Sequence, residues 1–236
     1  MEDEQIDRAT DTSPRFALDA SARMSLRDHV RNQLRMAIIS GRFAPEEKLN
    51  ERAIAEEFGV STTPLKEAVR QLEVEGLIEI LPRRGMVVRF DADYAEEMIL
   101  ARAALESPLA ALAAQRADEA SRGRMQDIVN RMRDATDRTD IAALIGLNET
   151  FHGEIHAAAR SRHLARLAAM QQFYDDSARR VIHRNLEESR RAFEEHSGIC
   201  GAIAAGDADR AAELMGRHVT RSGRLYLAAV FSSKQE

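Results

Sequence analysis

Three histidines in the second half of the chain, His152, His196 and His218, are the residues whose types and spacing most readily suggest chemistry. His152 lies four residues after Asn148, so on a helix the two side chains share a face. His196 and His218 fall on two later helical stretches, and in a bundle all four side chains can converge. Imidazole nitrogens with one oxygen ligand suit zinc, nickel or another divalent transition metal. Other readings stay open at this level. A single histidine is more often structural or exposed than a ligand, and His156 forms an alternative i+4 pair with His152. The run His152-Gly153-Glu154-Ile155-His156 is not the metalloprotease HExxH, because Glu154 falls at the wrong offset. Arg102 stands one turn before Glu106, and the two read as an i+4 ion pair on a helix surface. His183, Cys200 and the nine Met, like His156, are assigned to packing or surface.

A second set of residues suits nucleic acid. Thr62, Lys66 and Arg70 recur at i+4 steps with Thr63 beside them, and Arg83, Arg84 and Gly85 follow in a tight basic cluster. Short hydroxyl side chains at a helix N-terminus, with basic ones behind, can meet base edges and phosphates in a major groove. Taken alone, such a ladder is usually a solvated helix face.

The elements that would position these groups are punctuated clearly. Ser25 reads as an N-cap for a helix containing Val30, Leu34, Ala37 and Ile38, which Gly41 closes. Asn50 caps a second, short helix with Ile54, Ala55 and Phe58 inward, stopped by Gly59. Ser61 caps a third, with Pro64 tolerated in its first turn and Leu65, Ala68, Val69 and Leu72 inward. Residues 77–81 and 86–89 are β-prone around Pro82-Arg83-Arg84-Gly85, which predicts a hairpin. Ala55, Gly59 and Leu65, at offsets 0, +4 and +10, match a helix-turn-helix: a small residue at the crossing, Gly in the turn, an apolar lock. Three helices and a hairpin make a winged helix.

From Asp91 onward the pattern is helical, with helices expected at about 92–117, 119–135, 139–158, 161–184, 187–205 and 208–231. Pro108 is a possible kink in the first, and Asp207 caps the last. The fold class is therefore mainly α. Residues 1–21 read as a mobile tail, 22–90 as a winged helix-turn-helix domain, and 91–236 as an antiparallel helical bundle.

Composition sets outer bounds. The chain has 236 residues, 44% apolar, too many for a disordered protein. No apolar run is long enough to span a membrane, the charged N-terminus has no signal-peptide core, and the single cysteine fits a reducing cytoplasm. The formal net charge of −5 argues against nucleic acid until it is divided. Residues 1–21 carry −4, residues 22–92 carry +1 and the remainder −2. The placement of Lys66, Arg70, Arg83 and Arg84 matters more than the sum.

The stretch from Phe43-Ala44-Pro45 through Asn50-Glu51-Arg52, then Ala55-Glu56-Glu57-Phe58-Gly59-Val60-Ser61, Pro64, Glu67-Ala68, Glu75-Gly76-Leu77-Ile78 and Arg84-Gly85, resembles the DNA-binding domain of GntR-family transcription regulators. The resemblance implies DNA contacts at Arg52, Ser61, Thr63 and Gly85. Thr62 stands where the family usually has arginine and Lys66 where it commonly does, which leaves the operator sequence open while the DNA-binding role is kept. Arg102-x-x-Leu105-Glu106, Asn148-x-x-Phe151-His152, Glu195-His196 and Arg217-His218 resemble the all-helical FCD effector domain of the FadR-like subgroup. That resemblance implies a metal held by positions 148, 152, 196 and 218, with asparagine at 148 where the family carries aspartate. It also implies a small organic acid as effector, with Arg102 as its carboxylate partner.

The function expected is a ligand-responsive, sequence-specific transcription regulator, a repressor, that acts as a homodimer on double-stranded operator DNA. The competing class is a metal-dependent enzyme built on the histidine cluster. It lacks a clear general base at fixed spacing and leaves the hairpin unexplained.

Overall fold

The computed structural model describes residues 26–82, 85–171 and 185–231. The tail, Ser25, Arg83, Arg84, His183 and the later part of the helix expected at 161–184 lie outside the described residues. The elements are α1 (Leu26–Ile39), β1 (Lys48–Leu49), α2 (Glu51–Phe58), α3 (Thr62–Val74), β2 (Ile78–Leu81), β3 (Gly85–Val88), α4 (Ala92–Arg116), α5 (Glu119–Asp137), α6 (Ile141–Ala158), α7 (Arg162–Met170), α8 (Leu186–Ala204) and α9 (Ala208–Phe231). The protein is mainly helical, a helix-turn-helix with a small antiparallel sheet followed by a helical bundle.

Local chemistry accounts for the turn between α2 and α3. Asn50 caps α2 by accepting hydrogen bonds from the backbone N–H groups of Arg52 and Ala53 at 2.9 and 3.2 Å. Gly59 ends it in the left-handed conformation, φ 63°, with its N–H shared between the carbonyls of Ala55 and Glu56. Ser61 occupies the N-cap position of α3 with extended backbone, yet its side chain makes no capping hydrogen bond. Pro64 at the third helical position removes one of the two N–H groups a capping hydroxyl can use, and the other, of Thr63, is not taken up. The hydroxyl expected to cap the helix is thereby left on an exposed residue.

The hairpin of β2 and β3 is present, and β1 adds a third strand in the order β1-β3-β2, with Leu49 and Ile80 both opposite Met86. The sequence reading has no counterpart for β1. Two residues are too few for an alternation to register.

Among the described residues, two apolar cores form. One gathers Leu109, Met125, Phe151, Ile155, Ile199 and Met215 from the bundle. The other holds Val30, Leu34, Ile38, Leu65, Leu72, Ile78, Val88 and Phe90 of the winged helix, together with Ala95 and Ile99 of α4 and Tyr226 and Val230 of α9. The start of α4 and the end of α9 therefore finish the winged-helix core, and the two helices run antiparallel from one core to the other. Tyr226, fully buried, donates its hydroxyl to the Ile39 carbonyl at the end of α1 at 2.5 Å. α4 continues as one helix across Pro108. Among the described residues, no helix is long and apolar enough to cross a membrane.

Candidate metal centre and nucleic-acid interface

The bundle brings His152 of α6, His196 of α8 and His218 of α9 together. All three are buried, and one ring nitrogen from each lies within 4.8 Å of the others. The rings pack closely, with centroids 4.4 Å apart for His196 and His218 and 5.6 Å for His152 and His218. The Phe151 ring stands edge-on to His196 at 5.2 Å, giving the cluster an apolar floor. Tetrahedral zinc with nitrogen ligands at about 2.1 Å needs nitrogens about 3.4 Å apart, so rotamer-scale movement completes a three-histidine site. The cluster fits a divalent transition metal. Asn148 stands one turn before His152 on α6 and is half-buried.

Behind the histidines lies a layer of charge. Glu106 of α4 is fully buried, and one of its oxygens lies 3.4 Å from His152 Nδ1 and 2.9 Å from His156 Nε2. Its other oxygen lies 3.6 Å from Arg102 Nε. Burial alone would raise the Glu106 carboxyl. The charge and hydrogen bond of His152, the hydrogen bond of His156 and the Arg102 guanidinium instead hold it far below the usual carboxylate range. Burial lowers His152 to about 4, outweighing the opposing pull of Glu106. At neutral pH the arrangement is thus a neutral imidazole facing an ionised carboxylate. A parallel arrangement serves His218. Its Nδ1 lies 2.8 Å from Glu195 of α8, whose two oxygens also accept from Arg221 at 2.5 and 2.9 Å. Arg221 additionally pairs with Glu188. Burial pushes the Glu195 carboxyl up, but hydrogen bonds from His218 and Arg221 bring it below its ordinary value.

Several of these groups were not visible in the sequence. His156, expected in packing or on the surface, belongs to the Glu106 network, and its i+4 spacing from His152 was the available signal. The Arg102–Glu106 pair forms, though in the interior and not on a helix surface: Arg102 is 6% exposed and Glu106 0%. Glu188 and Arg221 carried no signal, because their partners are 33 residues apart in the chain. Cys200 is buried in packing, as expected.

At the other end of the molecule, Arg52, Ser61, Thr63, Lys66, Arg70 and Gly85 are exposed and Thr62 is half-buried. A groove of about 320 Å³ runs between α3 and the sheet, lined by Glu51, Lys66, Val69, Arg70, Ile80 and Gly85 among others. Lys66 Nζ lies 3.5 Å from Glu51, an exposed pair that holds the lysine only weakly. Gly85 opens β3 at φ 90°, a conformation that side chains rarely adopt.

Comparison with known proteins bears directly on this pairing of a winged helix with a histidine-bearing bundle. Residues 26–88 match the family described as "Bacterial regulatory proteins, gntR family", and residues 97–221 match the FCD domain. The chain belongs to the GntR family. Its C-terminal FCD domain places it in the FadR-like subgroup, and it is a DNA-binding transcription regulator. It is 33% identical to the HTH-type transcriptional regulator YdhC of Bacillus subtilis (strain 168), over 58% of this chain and 62% of that protein, so under two thirds of that relative is matched. It is 28% identical to the HTH-type transcriptional repressor GlaR of Escherichia coli (strain K12), over 79% of this chain and 89% of that one. The solved structure of E. coli McbR/YncC shares the fold at TM-score 0.61 and 20% identity, covering 86% of this chain and 97% of that one. YdhC and GlaR are named as transcriptional regulators and not as enzymes, which sets aside the enzyme reading of the histidine cluster.

Proposed function

We propose that this GntR-family regulator is a ligand-responsive repressor. In this reading its winged helix binds an operator half-site, and its bundle binds a small organic acid beside a metal. Arg52, Ser61, Thr62, Thr63, Lys66, Arg70 and Gly85, with Arg83 and Arg84 of the wing, contact DNA. The hydroxyl residues and Lys66 address base edges, and the arginines address phosphates. The protein acts in the cytoplasm as a homodimer, whose two recognition helices meet successive major grooves about 34 Å apart. The likeness to a relative named as a repressor supports the direction of control.

His152, His196 and His218 would hold the metal, zinc or nickel by donor type, with Asn148 adding a neutral amide oxygen. The bound cation would supply a Lewis-acidic attachment point for the effector's carboxylate. Arg102 would orient that carboxylate while keeping Glu106 as its own partner. The observation that carries the reading is the course of α4 and α9. Each bears residues of the buried site, Arg102 and Glu106 on one and His218 and Arg221 on the other. Each also enters the winged-helix core, through Ile99 and Tyr226. Effector that shifts these helices shifts the DNA-binding half, and operator must alter effector affinity by the same factor.

The test begins with selection of duplexes from a random pool on the full chain. Lys66→Ala with Arg70→Ala should weaken binding to the selected duplex at least tenfold and make it less salt-dependent. Failure to enrich any sequence, or unchanged affinity in the variant, overturns the reading.

A further inference from the structure

We propose that Glu106 and Glu195 are outer carboxylates of the metal centre, fixing His152 and His218 as ligands through Nε2 and supplying the negative charge that Asn148 does not. This rests on the metal-site reading above and adds residues to it.

Three observations carry the assignment. First, both carboxylates meet the same atom of their histidines. Glu195 lies 2.8 Å from His218 Nδ1, and Glu106 lies 3.4 Å from His152 Nδ1. A neutral imidazole has one N–H and one lone pair, so a carboxylate at Nδ1 holds the proton there and turns Nε2 into the donor. Metal-bound histidines are commonly held this way by a carboxylate behind the ring, which orients it and raises its basicity. Second, both carboxylates have further partners, although in Glu106 the oxygen facing His152 is the one His156 also meets, and its other oxygen has, among the described residues, only the Arg102 charge 3.6 Å away. Glu195 is gripped by Arg221 through two nitrogens, and Glu106 faces Arg102 while also meeting His156 Nε2 at 2.9 Å. Glu195 cannot swing towards a cation without leaving Arg221, and Glu106 cannot without leaving His156 and the Arg102 charge, so each is fitted to act through its histidine. Third, the charge suits a dication. Glu106, Glu188 and Glu195 against Arg102 and Arg221 leave one negative charge beside three imidazoles, with none contributed by residue 148. An aspartate at 148 would place its charge in contact with the metal. Here the charge sits one imidazole away, on α4 and α8.

The arrangement also joins helices. Glu195 connects α8 to α9 through His218 and Arg221, and Glu106 connects α4 to α6 through His152 and His156. Loading the site therefore draws on four helices, although the three imidazoles come from only three.

The experiment titrates the full chain, stripped with chelator, with zinc chloride against a competing indicator. Glu195→Ala is expected to weaken zinc binding 10- to 100-fold, the usual consequence of removing such a partner. Glu195→Gln keeps an oxygen that accepts the Nδ1 proton and should lose less. Glu106→Gln, chosen so that Arg102 keeps a polar neighbour, should weaken binding several-fold. Long-range proton–nitrogen spectra of the zinc-loaded wild type should show His152 and His218 metallated at Nε2 and protonated at Nδ1, which a merely structural carboxylate would not dictate. Zinc affinity of Glu195→Ala within about twofold of wild type, or metallation of His218 at Nδ1, overturns the proposal while leaving the metal site standing. A wild-type chain that binds no zinc overturns both.

Discussion

Replacing Tyr226 by phenylalanine removes one oxygen atom and tests whether the two halves of the molecule are one energetic unit. The hydroxyl is fully buried and donates at 2.5 Å to the Ile39 carbonyl, 187 residues away in the chain. That carbonyl lies in the last turn of α1, where helical carbonyls lack partners within the helix. Tyr226→Phe leaves it buried beside an apolar ring edge. Stranding one buried acceptor costs about 1–3 kcal/mol, more than the net worth of an ordinary hydrogen bond. The ring still fills its place among the residues of the winged-helix core, so no cavity term is added. Tyr226→Ala adds that term, and loss of a large aromatic from a core costs about 3–5 kcal/mol. The assay is urea unfolding of the full chain followed by far-ultraviolet circular dichroism. The phenylalanine variant should shift the midpoint with an unchanged slope, because the surface exposed on unfolding is the same. The reasoning is refuted if Tyr226→Phe stays within about 0.5 kcal/mol of wild type, the range of surface substitutions away from special features. It is equally refuted if the alanine variant costs no more than the phenylalanine one.

Two further substitutions probe the same construction. Gly76 has φ 74°, and a Cβ built there would fall 2.1 Å from the Tyr94 hydroxyl, which donates to the Glu75 carbonyl at 2.7 Å. Gly76→Ala should cost at least about 1–2 kcal/mol from backbone strain alone, and the cost should shrink in a Tyr94→Phe background, where the clashing oxygen is gone. Equal costs in both backgrounds, measured by thermal unfolding, would count against the clash. The chelator-treated chain should lose stability as the pH falls from about 6.5 towards 4. Unfolded His152 takes up a proton near 6.5, whereas in the folded chain burial delays that to about 4. The unfolded state binds more protons across this window, so acid favours it. Glu106 acts in the same direction at lower pH, since its folded value is far below its unfolded one. Thermal midpoints between pH 7 and 4 should fall less steeply for His152→Asn than for wild type, and parallel slopes would rule His152 out as the source.

The parts of the fold that could be read from sequence are those set by contacts within a few residues. Asn50, Gly41 and Gly59 announce helix ends because a cap or a left-handed residue acts on its immediate neighbours, and the i+3/i+4 apolar series of α1 to α3 shows which face turns inward. Ser61 shows where such reasoning stops: its type signals a cap, but its side chain makes no capping hydrogen bond, and Pro64 three residues on removes one of the two donors it could use. His152, His196 and His218 were legible as a set partly through residue type and partly through resemblance. Their partners were not. Glu195 and Arg221 meet across 26 residues, and Glu106 and His156 across 50, separations at which no local pattern distinguishes a partner from any other charged residue on a helix.

The same consideration explains why a division drawn near residue 91 follows the chain more closely than it follows the packing. A composition shift and a change of period mark where the chain leaves the sheet. They carry no information about an element that returns from the far end of the sequence to complete the first core. α9 does so with Tyr226 and Val230, eight and twelve residues beyond His218. At 1.5 Å per residue His218 and Tyr226 are only about 12 Å apart along one helix. α4 repeats the relation in reverse, with Ile99 in the winged-helix core and Glu106 seven residues on in the charged layer behind the histidines. A rigid helix cannot shift at one of these positions and stay still at the other. The coupling expected of a regulator therefore needs no special relay between its halves: two helices that serve both cores are sufficient, and the Tyr226–Ile39 hydrogen bond is the point at which severing it should first be felt.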